Sequence, residues 1–141
     1  MKIIKAETAG FCFGVACAVE KAFQLAREGQ ERIFTYGPLI HNPLVISQLA
    51  DMGVEAVENA ADERLADAAV IIRAHGVAPD VLKTLTQKGC RITDATCPFV
   101  SKIHKLVAAE YAKGKRIVII GDPKHPEVIG INGYCENNGF I

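Results

Sequence analysis

Residues 68–94, AAVIIRAHGVAPDVLKTLTQKGCRITD, hold one full unit of an α/β fold. The apolar, β-branched run at 68–73 predicts a strand covered on both faces. The turn Arg73-Ala74-His75-Gly76 ends it, and Pro79, whose fixed φ suits the first helical position, opens a helix predicted over 79–88. Gly89 stops that helix, because glycine takes the left-handed cap without a Cβ clash. Residues 91–93 then return to strand. Strand, turn, helix, glycine, strand is the order expected of a mostly parallel sheet.

The same order recurs on both sides. Runs at 2–6, 32–36 and 116–120 predict further strands, and 54–57 is a weaker candidate. Helical patterns fall at 14–28, 43–52 and 98–113, with another helix starting at Pro126. Gly29, Gly53 and Gly114 stand where three of these should stop, and Pro98 where one should begin. The polar, alanine-rich stretch 59–67 reads as a short surface helix, and 132–141 as a turn. No low-complexity run, linker or strong internal repeat interrupts the pattern. The fold class expected is α/β, with mostly parallel sheets flanked by helices.

Composition narrows the partners. The 141 residues carry 16 Lys+Arg against 16 Asp+Glu, and half are apolar. General disorder and a whole-chain basic surface for nucleic acid are both disfavoured. No run reaches the roughly 18 apolar residues of a membrane span, and no signal-peptide pattern follows Met1. The expectation is a cytoplasmic protein that engages neither nucleic acid nor membrane. In such a compartment, five cysteines point to free thiols, metal ligands or catalysis before disulfides.

Ligands of a parallel sheet bind at the carboxyl ends of its strands, where helix N-termini favour anions. Several reactive side chains fall in those turns: Cys12 in GFCFG (10–14), His41 in HNP (41–43) and His75 in RAHG (73–76). Cys97 in DATCP (94–98) joins them, as do His125 and Glu127 in GDPKHPE (121–127). Three of the four histidines and two of the five cysteines should therefore share one edge. His104, seven residues into its helix, reads as a satisfied or solvated histidine. Cys17 reads as a small buried hydrophobe, Cys90 lies on the opposite edge, and Cys135 is ambiguous.

Each residue alone has an ordinary structural explanation, so their convergence is the signal. Three imidazoles above helix N-termini make a receptor for a multiply charged phosphate group. Neither a Walker-type loop nor a GxGxxG is present. Cys12 and Cys97 suggest thiolate ligation of a metal. Zinc is one candidate, although closely spaced C-x₂-C pairs are absent. An iron–sulfur cluster suits the thiolates better but needs more than two of them. Glu127 is placed to deliver a proton or, as an ordinary first-turn acid, to complement a helix dipole.

Together GFCFGV (10–15), HN (41–42), AHGV (74–77), DATCP (94–98) and HPEV (125–128) resemble, in order and separation, the 4-hydroxy-3-methylbut-2-enyl diphosphate reductases of the non-mevalonate isoprenoid pathway. The resemblance implies a 4Fe–4S cluster with Cys12 and Cys97 as two of its three cysteine ligands, the third lying outside this chain. It implies substrate-binding roles for His41, His75 and His125, and makes Glu127 the acid. The implied reaction is reductive dehydroxylation of the allylic diphosphate to isopentenyl and dimethylallyl diphosphate, with ferredoxin or flavodoxin as electron donor. The family runs to about twice this length in three α/β lobes. On that comparison, 1–97 is a first lobe with an N-terminal strand and 98–141 part of a second, and the chain alone should be inactive. A non-catalytic phosphate-binding module and a zinc or thiol protein are the competing expectations.

Overall fold

A computed structural model describes residues 1–29 and 32–141. Its helices are α1 (Phe13–Glu28), α2 (Pro43–Asp51), α3 (Pro79–Gln87), α4 (Pro98–Tyr111) and α5 (Pro126–Gly133). Its strands are β1 (Ile33–Tyr36), β2 (Val54–Val57), β3 (Ala69–Ile72) and β4 (Arg91–Asp94). They form one parallel sheet in the order β2-β1-β3-β4. The weakest of the expected strands, 54–57, forms at those bounds.

The central strands are buried on both faces because β3 is apolar throughout and β1 breaks its apolar run only at Thr35, itself buried. All four residues of β3 are buried. Ile33, Ala69 and Ile71 pack under α1 and α2, against Val45, Leu49 and an Ala18, Ala22, Ala26 stripe whose small side chains let α1 lie close. Phe34, Val70 and Ile72 face the other way, toward Leu85 of α3 and toward Leu65 in a short 3₁₀ turn, Glu63–Leu65. Burying each Ile, Leu or Phe contributes about 1.5–3 kcal/mol. The alternation along β1 and β3 thus supplies a core to each layer.

Connectivity places the crevice. The chain leaves β1 into α2 on one face and leaves β3 into α3 on the other, so the connections from the two paired central strands diverge at their carboxyl ends. That divergence is the switch point at which open α/β sheets bind ligands. Tyr36, Ile72 and Asp94 stand level there, in register across β1, β3 and β4. α5 packs on α4 and α3. It approaches the start of α3 closely because Gly133 has no side chain: a Cβ there would overlap Ala78.

Three local expectations are corrected. Residues 2–6 form no strand, and Ile3 and Ile4 are exposed. A strand exists only with a ladder partner, and no described strand pairs with this run. Residues 116–120 make only an isolated parallel bridge between Val118 and Phe140, closed by the Ile119 N–H on the Phe140 carbonyl at 2.8 Å. One bridge does not extend a sheet, and Ile120 stays exposed. The helix expected in 59–67 is the single 3₁₀ turn, capped by the Asp62 carboxylate accepting from the Arg64 N–H.

Candidate functional site

Two turns at the switch point carry the first pair of histidines. After β1 the chain passes through Gly37, at φ +70, and seats Leu39 and Ile40 in the core. His41 is left exposed at the rim. Asn42 then starts α2, its Oδ1 accepting from the N–H groups of Leu44 (3.0 Å) and Val45 (3.3 Å). After β3, Gly76 at φ +69 tightens the turn that presents His75. The Ala74 N–H donates to the Leu39 carbonyl at 3.2 Å, which ties the two turns together. The third histidine arrives from the loop before α5, where His125 is the N-cap.

The three imidazoles converge as expected. Ring centroids are 4.7 Å apart for His41–His75, 5.6 Å for His75–His125 and 6.3 Å for His41–His125. One ring nitrogen from each lies within 4.8 Å of the others, close enough to share one ion or one phosphate group. The hydrogen bonding separates those alternatives. His125 Nδ1 accepts the Glu127 N–H at 3.2 Å. An amide hydrogen directed at Nδ1 needs its lone pair, so the neutral ring carries its proton on Nε2. That nitrogen is then a donor suited to an anion, with no lone pair for a metal.

Burial, reinforced by the charges of His41, Arg73 and His125, pulls His75 down to about 4. The ring is therefore neutral at pH 7. Because this value lies below the ordinary 6.5, the unfolded chain takes up the proton first as pH falls. Stability contributed by His75 is complete above about pH 6.5 and is lost on acidification toward pH 4. The His75 ring carbons should titrate in an NMR experiment with a midpoint near 4, and an anion bound among the three rings should raise that midpoint. A midpoint of 6.5 unaffected by pyrophosphate would contradict this environment.

Both sequence-predicted thiols stand at helix starts. Cys12 is the N-cap of α1 and Cys97 the N-cap of α4, and neither side chain caps its own helix. Cys97 lies against the first turn of α1: a Cβ on Gly14 would collide with its sulfur. Its N–H also donates to the Ala74 carbonyl at 2.9 Å, linking it to the His75 turn. A cavity of about 260 Å³ lies between the α1 start and the His41 and His75 turns, lined by Phe11, Val15, Ile40, His41, Ala74 and His75. Glu127 is half-buried in the first turn of α5, two residues beyond His125.

The remaining cysteines are not at this junction. Cys90 donates to the Leu65 carbonyl at 3.0 Å, and burial pushes its thiol up. Cys135 is fully buried with its sulfur on the Asn132 carbonyl at 3.2 Å. Cys17 lies more than a turn into α1 and is half-buried, less enclosed than expected of a small core residue. His104 departs further from expectation. It is 3% exposed, and its Nε2 has no hydrogen-bond partner among the described residues.

The sequence reading assigned nothing to Arg73 or Tyr36. Arg73 lies 6.0 Å from the Tyr36 ring centroid and lines a separate cleft of about 410 Å³ with Glu58 and Lys124. Its guanidinium also passes over Gly37, where any Cβ would collide with it. The bare turn glycine was the only advance signal of that approach.

The family model described as LytB protein matches residues 3–141. The 4-hydroxy-3-methylbut-2-enyl diphosphate reductase of Alkaliphilus oremlandii is 49% identical over all of this chain and 50% of its own length. The enzyme of the same name from Thermoanaerobacter sp. strain X514 is 46% identical with the same coverage. A solved (E)-4-hydroxy-3-methyl-but-2-enyl diphosphate reductase superposes with a TM-score of 0.82 at 42% identity, over 98% of this chain and 49% of that one. An E-1-hydroxy-2-methyl-but-2-enyl-4-diphosphate reductase from Plasmodium falciparum gives 0.89 at 29% identity, over 96% of this chain and 42% of its own. The chain spans about half the length of the curated relatives it matches.

Proposed function

Because the chain belongs to the LytB protein family, we propose that its histidine and thiol edge is half of the active site of a reductase acting on 4-hydroxy-3-methylbut-2-enyl diphosphate. The observation that carries this reading is the convergence of three imidazoles, one with its Nδ1 engaged by a backbone N–H, beside two thiols at helix N-cap positions that cap nothing. In the reaction two electrons and two protons replace the allylic hydroxyl, which leaves as water. The products are isopentenyl and dimethylallyl diphosphate, and ferredoxin or flavodoxin supplies the electrons. We place the protein in the cytoplasm.

His41, His75 and His125 bind the diphosphate by donating hydrogen bonds to its oxygens. Phe11, Val15 and Ile40 give the five-carbon chain an apolar wall and exclude water from it. With the charged end held, the hydroxyl end is oriented toward the start of α1 and α4. Glu127 gives a proton to the departing hydroxyl oxygen.

Cys12 and Cys97 fit two ligands of a 4Fe–4S cluster. Both are uncommitted to capping, and the missing Gly14 side chain makes the cradle that brings Cys97 beside α1. Bound there, the cluster supplies electrons and a Lewis-acidic iron. The third thiolate comes from outside these residues, so the 141-residue chain binds substrate without turning it over. In this reading 1–97 is the first lobe and 98–141 part of the second.

Calorimetric titration tests the binding half of the proposal without a cluster. The chain should bind inorganic pyrophosphate, and His41→Ala should weaken it about 10- to 100-fold, the equivalent of one charge-assisted hydrogen bond of about 1.5–3 kcal/mol. Stoichiometric zinc binding that His41→Ala abolishes, with no pyrophosphate binding, would favour a metal site instead.

A further inference from the structure

His104 joins three parts of the edge that are remote in sequence. It projects from the second turn of α4, seven residues or about 10.5 Å along the helix from Cys97. One edge of its ring touches the turn holding His75: a Cβ on Gly76 would lie 2.5 Å from His104 Cε1. On the same edge the neighbouring Nε2 faces α5, since a Cβ on Gly130 would lie 3.4 Å from it, 3.7 Å from Cε1 and 3.8 Å from the His75 carbonyl. The ring face stacks on Tyr134, just past the end of α5, with centroids 4.3 Å apart and planes 18° off parallel.

These contacts make a wedge. Gly76 and Gly130 each leave room for the ring by lacking a side chain. α5 is a short rigid rod, so fixing Gly130 and Tyr134 fixes its first turn, where Glu127 lies three residues before Gly130, about 4.5 Å along the axis. α4 bears both the wedge and, at its N-cap, Cys97. A shift of His104 therefore moves His75, Glu127 and Cys97 relative to one another. Burial lowers the His104 pKa against the opposing pull of Asp94, which favours the neutral ring.

We propose that His104 is a positioning residue: its ring, clasped between Gly76, Gly130 and Tyr134, sets the His75 turn against the α5 start that carries His125 and Glu127. This rests on the diphosphate reading of the edge for its functional consequence, but not for its geometry. The ring acts by shape. It touches no reacting group, and phenylalanine can replace it where alanine cannot.

The test compares His104→Ala and His104→Phe in the 141-residue chain, using imidazole NMR and calorimetry with inorganic pyrophosphate. His104→Ala should move the His75 and His125 ring signals together and weaken pyrophosphate binding at least about tenfold. His104→Phe should stay within about threefold of the parent, as a ring of similar size. Lost thermal stability with unmoved His75 and His125 signals, and unchanged affinity, would overturn the proposal and leave His104 as packing alone. Should His104→Ala not fold, Tyr134→Leu removes the stacked face from the other side. It must move the same two ring signals, and unmoved signals overturn the proposal. A parent chain that does not bind pyrophosphate refutes the diphosphate reading, and the ring signals then decide positioning by themselves.

Discussion

Cys97→Ser should abolish the proposed cluster in a complete reductase built on this half: iron and acid-labile sulfide should fall to background after anaerobic reconstitution, and turnover with them. The expectation follows from where the sulfur sits. Cys97 holds the N-cap position of α4 with its sulfur uncommitted, lies against the first turn of α1 and takes its backbone register from the Ala74 carbonyl. A serine hydroxyl occupies that position without the soft thiolate that iron–sulfur clusters need. Cys12→Ser should do the same from the other helix start. Cys90→Ser is the control, because that side chain faces the Leu65 carbonyl and a hydroxyl there keeps the hydrogen bond. Full cluster content in Cys97→Ser would remove this residue from the ligand set.

Glu127→Gln should separate binding from chemistry in the same complete enzyme. The His125 cap uses the backbone N–H of residue 127, so glutamine leaves the α5 start and the imidazole tautomer intact. The side chain itself makes no hydrogen bond or ion pair among the described residues, so no structural partner is lost. What disappears is the proposed proton donor. General acids contribute about 10²–10⁴-fold to rate, and kcat should fall by that order while KM changes little. A kcat within about twofold of the parent would assign the proton to another donor.

The sequence made the layers legible because strand and helix signals agreed with one another. β3 is apolar throughout and is closed by a positive-φ glycine turn, so it formed where expected. The helix-stopping glycines Gly29, Gly53, Gly89 and Gly114 all adopt positive φ. Runs 2–6 and 116–120 carried equal propensity and failed, because pairing is decided by partners that composition does not reveal. The histidine edge was legible for a positional reason. Strand-to-helix turns of a parallel sheet share one side, so His41 and His75 had to be near each other.

What the sequence hid depends on close approach between remote segments. Nothing local in GFCFG says that Gly14 is bare because Cys97 lies on it. Nothing in SKIHKL says that His104 reaches two glycines and a tyrosine. The His125 tautomer was also invisible, since it turns on a single amide directed at Nδ1. That bond is what favours an anion receptor over a three-histidine metal site.

In the function proposed above, His41, His75 and His125 together receive the diphosphate of an allylic substrate. Imidazole NMR of the 141-residue chain, titrated with 4-hydroxy-3-methylbut-2-enyl diphosphate, tests it most directly. All three ring signals should move with one common affinity, while the corresponding alcohol without its diphosphate moves none. Binding of the diphosphate that leaves the three rings unmoved, or equal responses to the bare alcohol, would contradict it.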